Sequence, residues 1–338
     1  MYEAAVARAF QECGWHVAAF RWGGRFGSFL GKVESKWTLP GPATIRLNRD
    51  LINEVATARP DVVLVWRGTH VFPSTLRALK QEGVRTLVSY NHDDFSGPSS
   101  GARVPAHHHV LWRRFLACAA EYDLHLVKRA DNIEHLRSLG AAQAELFPMY
   151  FVPWIHPPME LSAVEAERFE TDVVFVGHHE PDGREEYLRA LVAAGIKVRL
   201  FGGKYWTREV LRDLVEVLGP ISPVYGDDYA KALCGGRLCL AFLSSLNRDT
   251  YTRRCVEIPA CGRPLVCWRT SHLQALFRED EEAVLFSSKE ELLEKVSWLL
   301  RDDEARQRIA KAGMERVWKD GHDVLTCVER LARRLSRS

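Results

Sequence analysis

Apolar residues along the chain follow two alternating spacings, one helical and one extended. Residues 2–14 place Ala4, Ala5, Val6, Ala9 and Phe10 at helical spacing, and HVAAFRW (16–22) then reads as a strand. A helix is predicted over about 46–58, ending at Arg59-Pro60, because the residue before a proline is biased away from helical geometry. DVVLVW (61–66) is a continuous apolar run, the pattern of a strand buried on both faces of a parallel sheet. TLRALKQEG (75–83) predicts a helix with a glycine stop, and VRTLVSY (84–90) the next strand. A helix over about 108–121, a strand at DLHLVKR (123–129), a short helix ending at Gly140 and an extended AELFPMY (144–150) complete the first half.

Residues 151–170 hold three prolines and no strand pattern, which marks a linker. A second alternation follows: strand TDVVFVG (171–177), helix 184–194, strand IKVRLFGG (196–203), helix 207–218, strand RLCLAFL (237–243), helix 252–261 and strand RPLVCW (263–268). AVLFSS (283–288) runs into a helix whose Ser288 and Glu291 have capping-box spacing, and three helical segments end the chain. The fold class is therefore α/β, with two Rossmann-like domains facing each other across a cleft. The expected division is 1–155, 156–320 and a C-terminal helix at 321–338 that crosses back to the first domain. Met1 leads almost directly into a helix, so the first domain is expected to lack a central opening strand, about 8–15 residues with its turn. A rearranged sheet with HVAAFRW at its centre is the alternative.

Composition narrows the class. The 338 residues are 46% hydrophobic and 27% charged, an ordinary globular balance. Lys+Arg 46 against Asp+Glu 44 gives a formal charge of +2, so net charge offers no electrostatic reason for a nucleic-acid or membrane-surface specialist. No apolar stretch has the length of a signal peptide or membrane span. Eight cysteines without a C-x-x-C pair read as free thiols in a reducing compartment, and a soluble cytoplasmic protein is expected.

The stretch richest in candidate chemistry is NRDTYTRRCVEIPACGRPLVCW (247–268). A polar loop leads into a short helix, Gly262 ends it, and a buried strand follows. Glu257 sits in the apolar helix, where a carboxylate must find either a ligand or a fixed internal partner. The helix start offers free N–H groups, and Arg253 and Arg254 add cationic forks beside it, which together suit an anion.

Residues 238–296 resemble the C-terminal signature of CgeB-like, group 1 glycosyltransferases of the GT-B fold. The pattern is an apolar strand, an Asn-containing loop and Arg-x-x-Glu-Ile-x-Ala-x-Gly, met by Arg254, Glu257, Ile258, Ala260 and Gly262. FVGHHEPDGREEYLRAL (175–191), FGGKYW (201–206) and VYGDDYAKAL (224–233) resemble the family's other donor-domain segments, and VSYNHDDFSG (88–97) and 123–141 its acceptor domain. The resemblance implies sugar transfer from a nucleotide-diphosphate donor, UDP, GDP or dTDP undetermined, with no further cofactor and no metal. It implies donor contacts at Gly177, His178, Arg184, Gly203, Lys204, Tyr225, Asn247, Thr250, Tyr251, Thr252, Arg254 and Glu257. Glu257 would hold the ribose hydroxyls, and the diphosphate would meet N–H groups near Thr250–Thr252, helped by Arg254 or Lys204. Asp249 and Glu257 have the acid-x7-acid spacing of retaining relatives, with Asp249 approaching the transferred sugar. A base in the first domain would suit inversion instead.

His92, Asp93 and Asp94 follow a strand and could deprotonate an acceptor hydroxyl or form an Asx turn. The acceptor could be a small molecule, a glycan or a protein. Trp154 and His156 stand at the linker, and His178-His179 after the first strand of the second domain. GGRFG (23–27) imitates part of a dinucleotide fingerprint without its helix and reads as a loop. His107, His108 and His109 are helix neighbours about 100° apart, so they do not converge on one metal. Two alternatives share the architecture: a sugar-nucleotide epimerase, and a non-catalytic sugar-nucleotide-binding protein.

Overall fold

The computed structural model describes residues 1–96, 106–203, 205–219 and 221–337, apart from the side chains of His108 and His109. The chain divides into two compact units: Met1–Tyr2 with Met149–Cys327, and Glu3–Pro148 with Val328–Ser338.

The second of these units is built on four parallel strands, β1 (Val62–Trp66), β2 (Thr86–Asn91), β3 (Leu124–Val127) and β4 (Ala144–Leu146), side by side in chain order. β2 and β3 are buried throughout, with the polar Ser89 and His125 inside them paired across the sheet, Oγ to Nδ1, at 2.6 Å. β1 lies at an edge and is only half-buried at Val62–Leu64, so its apolar run does not mark a strand covered on both faces. HVAAFRW forms no strand and occupies no central slot. Its packing residues Val17, Phe20 and Trp22 break period-two alternation, and Phe20 and Trp22 fold as irregular chain against the cluster of Leu51, Val65 and Leu76. The helix expected at 108–121 is broken into His108–Leu111, Arg113–Ala117 and a 3-10 turn at Ala119–Glu121.

Two helices of this unit, Phe29–Trp37 and Pro42–Ala58, are joined by an unusual cap. Gly41 precedes the second helix, and the Glu34 carboxylate takes the capping role, accepting from the Thr44 N–H at 2.9 Å. A Cβ at Gly41 would come within 2.3 Å of that carboxyl carbon, so a side chain there would displace the Glu34 cap. His70 fastens the first helix by donating from Nε2 to the Ser35 carbonyl at 3.3 Å, which leaves Nδ1 to accept from the Thr69 hydroxyl at 2.9 Å.

Burial lowers the His70 pKa to about 4 against an unfolded value near 6.5. Below pH 6.5 the unfolded chain therefore binds the extra proton. Stability is expected to fall as pH drops from about 6.5 to 4, by up to about 3 kcal/mol from this residue. Urea unfolding at pH 7 and pH 4.5 measures it, and His70→Gln should flatten the difference; an unflattened profile would assign the loss elsewhere.

The other unit carries five parallel strands: β5 (Thr171–Val176), β6 (Val198–Phe201), β7 (Gly236–Ala241), β8 (Leu265–Trp268) and β9 (Val284–Phe286), in the order β6-β5-β7-β8-β9. Alternate residues feed two cores. Val173, Phe175, Leu238 and Leu240 pack with Leu188, Leu292 and Ile309, while Val174, Val176, Cys239 and Ala241 pack with Val256 and Ile258. The helix expected over 207–218 is two short pieces, Arg208–Leu211 and Leu214–Leu218, and the loosely patterned stretch before β5 contains a helix at Ala163–Phe169. Ser288 caps its helix as expected, but Glu291 departs from the reciprocal capping box and accepts from Ser287 N and Arg269. All eight cysteines are free, seven of them buried.

Candidate functional site

In the five-stranded sheet the chain reverses its direction of travel between β5 and β7, and ligands of open α/β sheets bind beyond the strand ends at such a point. The loops that follow β5, β6 and β7 hold most of the expected donor contacts. Gly177 follows β5 and donates to the Phe201 carbonyl at 2.9 Å. A Cβ on Gly177 would lie 3.2 Å from Arg254 Nη2, and one on Gly203 would lie 3.3 Å from His178 Nδ1. Gly177, His178, Gly203 and Arg254 are therefore neighbours; Gly177 is buried, where a Cβ would also come within 2.7 Å of the Phe175 ring, and Gly203 is half-buried. Gly202 sits too close for any side chain, because Trp206 passes over it to donate from Nε1 to the Gly177 carbonyl at 2.8 Å. Lys204 lies outside the described residues.

Arg254 makes no hydrogen bond or ion pair among the described residues, and its positive charge helps to lower the His178 pKa, although partial burial is the larger cause. Its helix, Arg254–Ala260, begins two residues later than the sequence suggests and is seven residues long with Pro259 inside. Free N–H groups at so short a helix contribute less than the guanidinium. Thr252 is buried, its N–H directed at Cys255 Sγ.

Glu257 is buried and both carboxylate oxygens are occupied. The Tyr2 hydroxyl donates to Oε1 and the Tyr229 hydroxyl to Oε2, each at 2.6 Å. His156 Nε2 lies 3.7 Å from Oε1, and because His156 Nδ1 accepts from Val152 N–H at 3.0 Å, the ring proton sits on Nε2 and faces the carboxylate. Burial lowers the His156 pKa, so the ring is neutral, and burial first and Glu257 second raise both phenol pKa values, so both remain donors. The Arg253 guanidinium lies 3.9 Å from the Tyr2 ring centre and 4.5 Å from that of Tyr150. Of this group, the sequence pattern marks Glu257, Arg253 and His156. Tyr229 lay unnoticed inside the quoted VYGDDYAKAL, and nothing in the pattern marks Tyr2.

Arg184 points inward. It donates to Asp182 through Nε and Nη2 and to the His178 carbonyl through Nη1 at 2.7 Å, so it shapes the loop after β5. Ser244 ties the two sides of the switch point, donating to Glu180 at 2.9 Å and accepting from Asn247 N–H at 3.1 Å. Asp249 is half-buried, with its N–H on the Ser244 carbonyl. Tyr251 is buried and stacks on His272 at 4.0 Å, and Thr250 meets His272 Nδ1 at 3.4 Å. Tyr225 is exposed.

In the four-stranded unit, His92, Asp93 and Asp94 follow β2. Asp94 is buried and builds the Asx turn, accepting from Ser96 N–H and Asn132 Nδ2, both at 3.0 Å. Asp93 pairs with Arg67 at 3.0 Å and stands 3.6 Å from His92 Nε2. Among the described residues no cluster of three His, Cys, Asp or Glu side chains could hold a metal, and no helix is long and apolar enough to cross a membrane.

Residues 184–333 match the profile of a family described as glycosyl transferase-like. No curated protein sequence matches the chain. Sucrose-phosphate synthase of Thermosynechococcus elongatus is similar in structure, with a TM-score of 0.70 at 16% identity over 99% of this chain and 92% of that one. A glycosyltransferase of Rickettsia africae gives 0.63 at 9% identity, over 99% and 93%. HepE of Anabaena in complex with UDP-glucose gives 0.61 at 15% identity, over 86% and 82%. Residues 184–333 thus match a glycosyl transferase-like family, and the chain has the GT-B fold of these glycosyltransferase structures.

Proposed function

We propose that the chain transfers a sugar from a nucleotide-diphosphate donor, held by the five-stranded unit, to an acceptor hydroxyl. The observation that carries this reading is Arg254, a guanidinium with no described partner beside Gly177 at the switch point of the sheet, with Gly203 close to His178. Arg254 supplies the positive charge that a leaving diphosphate needs without a metal, with the His178 ring and the half-buried backbone of Gly203 beside it. HepE binds UDP-glucose in the structure that resembles this one, which makes a UDP-sugar the first donor to test. Glu257 would reach the ribose by exchange: a ribose O–H replaces the Tyr2 O–H on Oε1, one donor for another, while Tyr229 keeps Oε2. Asp249, eight residues before Glu257, would face the transferred sugar, the arrangement that favours retention. In the other unit Asp93, with Arg67 and His92, is the group proposed to meet the acceptor, since Asp94 is committed to its turn.

Arg254→Ala is expected to weaken UDP binding by about tenfold or more, the loss of a charge-assisted hydrogen bond to phosphate, with little effect on unfolding. Calorimetry against UDP, GDP and dTDP measures it. Equal affinity in the variant and the parent would remove Arg254 from the site, and release of nucleotide from a donor sugar without any acceptor would favour the epimerase reading.

A further inference from the structure

The helix Phe29–Trp37 is turned inside out. Its buried side is polar: Glu34 is bound to Thr44, the Ser35 carbonyl to His70, and Thr38 donates to the Val110 carbonyl at 3.1 Å while its own carbonyl accepts from Arg114 at 2.7 Å. These bonds fix the rotation of the helix. The side left facing water carries Phe29, 81% exposed, Leu30, 68% exposed, and beyond them Val33 and Trp37. Spaced at i, i+1, i+4 and i+8, they form a stripe about 100° wide. Ile45, on the following helix, is also exposed at 56%. A globular protein ordinarily rotates such a stripe into its core, so a contiguous exposed one marks an interaction surface.

The charges beside it select the partner. Between residues 28 and 49 the exposed charged side chains are Lys32, Lys36, Arg46 and Arg49, of which Arg49 lies 3.7 Å from Asp50, and the single carboxylate, Glu34, is buried. Lys32 and Lys36 flank the apolar stripe on its own helix. A second copy of the chain would set these four cations against the same four across a two-fold axis, which disfavours self-association. Anionic headgroups would neutralise them while Phe29, Leu30, Val33 and Trp37 enter the acyl boundary, the geometry of a helix lying in a membrane interface. We propose that this helix docks the protein on an anionic lipid surface. The overall charge of +2 hides the feature, because acidic residues elsewhere balance the local excess.

Co-sedimentation of the full chain with phosphatidylcholine vesicles, with and without phosphatidylglycerol, tests it. Binding is expected to the anionic vesicles and not to the neutral ones, and to weaken as salt screens the lysines. Phe29→Ser with Leu30→Ser should reduce partitioning by about tenfold or more, and Lys32→Glu with Lys36→Glu by a similar factor, with thermal unfolding unchanged because all four side chains are exposed. No binding of the parent chain to anionic vesicles would overturn the proposal, as would equal binding by either double variant. A solution dimer dissolved by Phe29→Ser with Leu30→Ser would also overturn it, assigning the stripe to a second copy.

Discussion

Glu257→Ala is expected to lower the unfolding free energy by about 3–5 kcal/mol, because it removes two charge-assisted hydrogen bonds at once and leaves two half-buried donors without their acceptor. Each phenol now gives its proton to one carboxylate oxygen at 2.6 Å, and His156 turns its Nε2 proton towards the same group. After truncation all three lose that acceptor, the two phenols half-buried and His156 fully buried. Relief of the buried charge returns part of the loss, which keeps the total below the sum of the separate bonds. Glu257→Gln should cost less, since the amide oxygen still accepts from one tyrosine. Tyr229→Phe alone should cost about 1.5–3 kcal/mol, and its combination with Glu257→Ala should cost less than the two separate losses added. Urea unfolding of the four proteins tests the network; additive losses would mean that the phenol and the carboxylate do not depend on each other. Nucleotide affinity of Glu257→Ala, measured below its unfolding range, is expected to fall several-fold under the exchange with ribose; unchanged affinity would take Glu257 out of the donor site.

The difference between Glu257 and its partners explains what could be read in advance. A carboxylate in an apolar helix is conspicuous in sequence because its burial needs compensation. A tyrosine that supplies the compensation is an ordinary amphipathic residue at any position. Tyr2 and Tyr229 are 227 positions apart and meet only through the fold, so no local pattern joins them. The parallel strands were legible for the opposite reason: short stretches rich in apolar and β-branched residues, such as VVLVW in β1 and VVFV in β5, are a local signal. HVAAFRW was misread because it has strand composition without strand periodicity, and composition does not decide where a sheet ends. The helix Phe29–Trp37 escaped notice because its apolar stripe faces outward, which periodicity does not distinguish from inward. At the switch point, Gly177, Arg254 and His178 were legible as a motif, whereas Arg184 shared the motif and turned out to face the other way.

Arg184→Ala is expected to destabilise the five-stranded unit by about 3–5 kcal/mol, the loss that follows when one partner of a buried ion pair is removed. The arginine side chain is 4% exposed and that of Asp182 8%, and the pair is bidentate, Nε to Oδ1 at 2.8 Å and Nη2 to Oδ2 at 2.5 Å. The same guanidinium also holds the His178 carbonyl after β5 and reaches the Leu243 carbonyl after β7 at 3.4 Å, while Glu180 lies 3.6 Å away. It therefore joins the two loops between which the proposed donor binds. Nucleotide affinity should fall with stability, although no donor atom of Arg184 is directed outward. Arg184→Lys preserves charge but offers a single point in place of a fork, so it cannot span Asp182 and both carbonyls, and most of the loss should remain. Asp182→Asn should lower stability by a smaller amount, since the amide oxygen still accepts one bond. Chemical denaturation and nucleotide calorimetry on the three variants separate the two roles: a loss of affinity at unchanged stability would make Arg184 a direct ligand contact, whereas a parallel loss of both assigns it to the architecture that holds Gly177 and His178 in place.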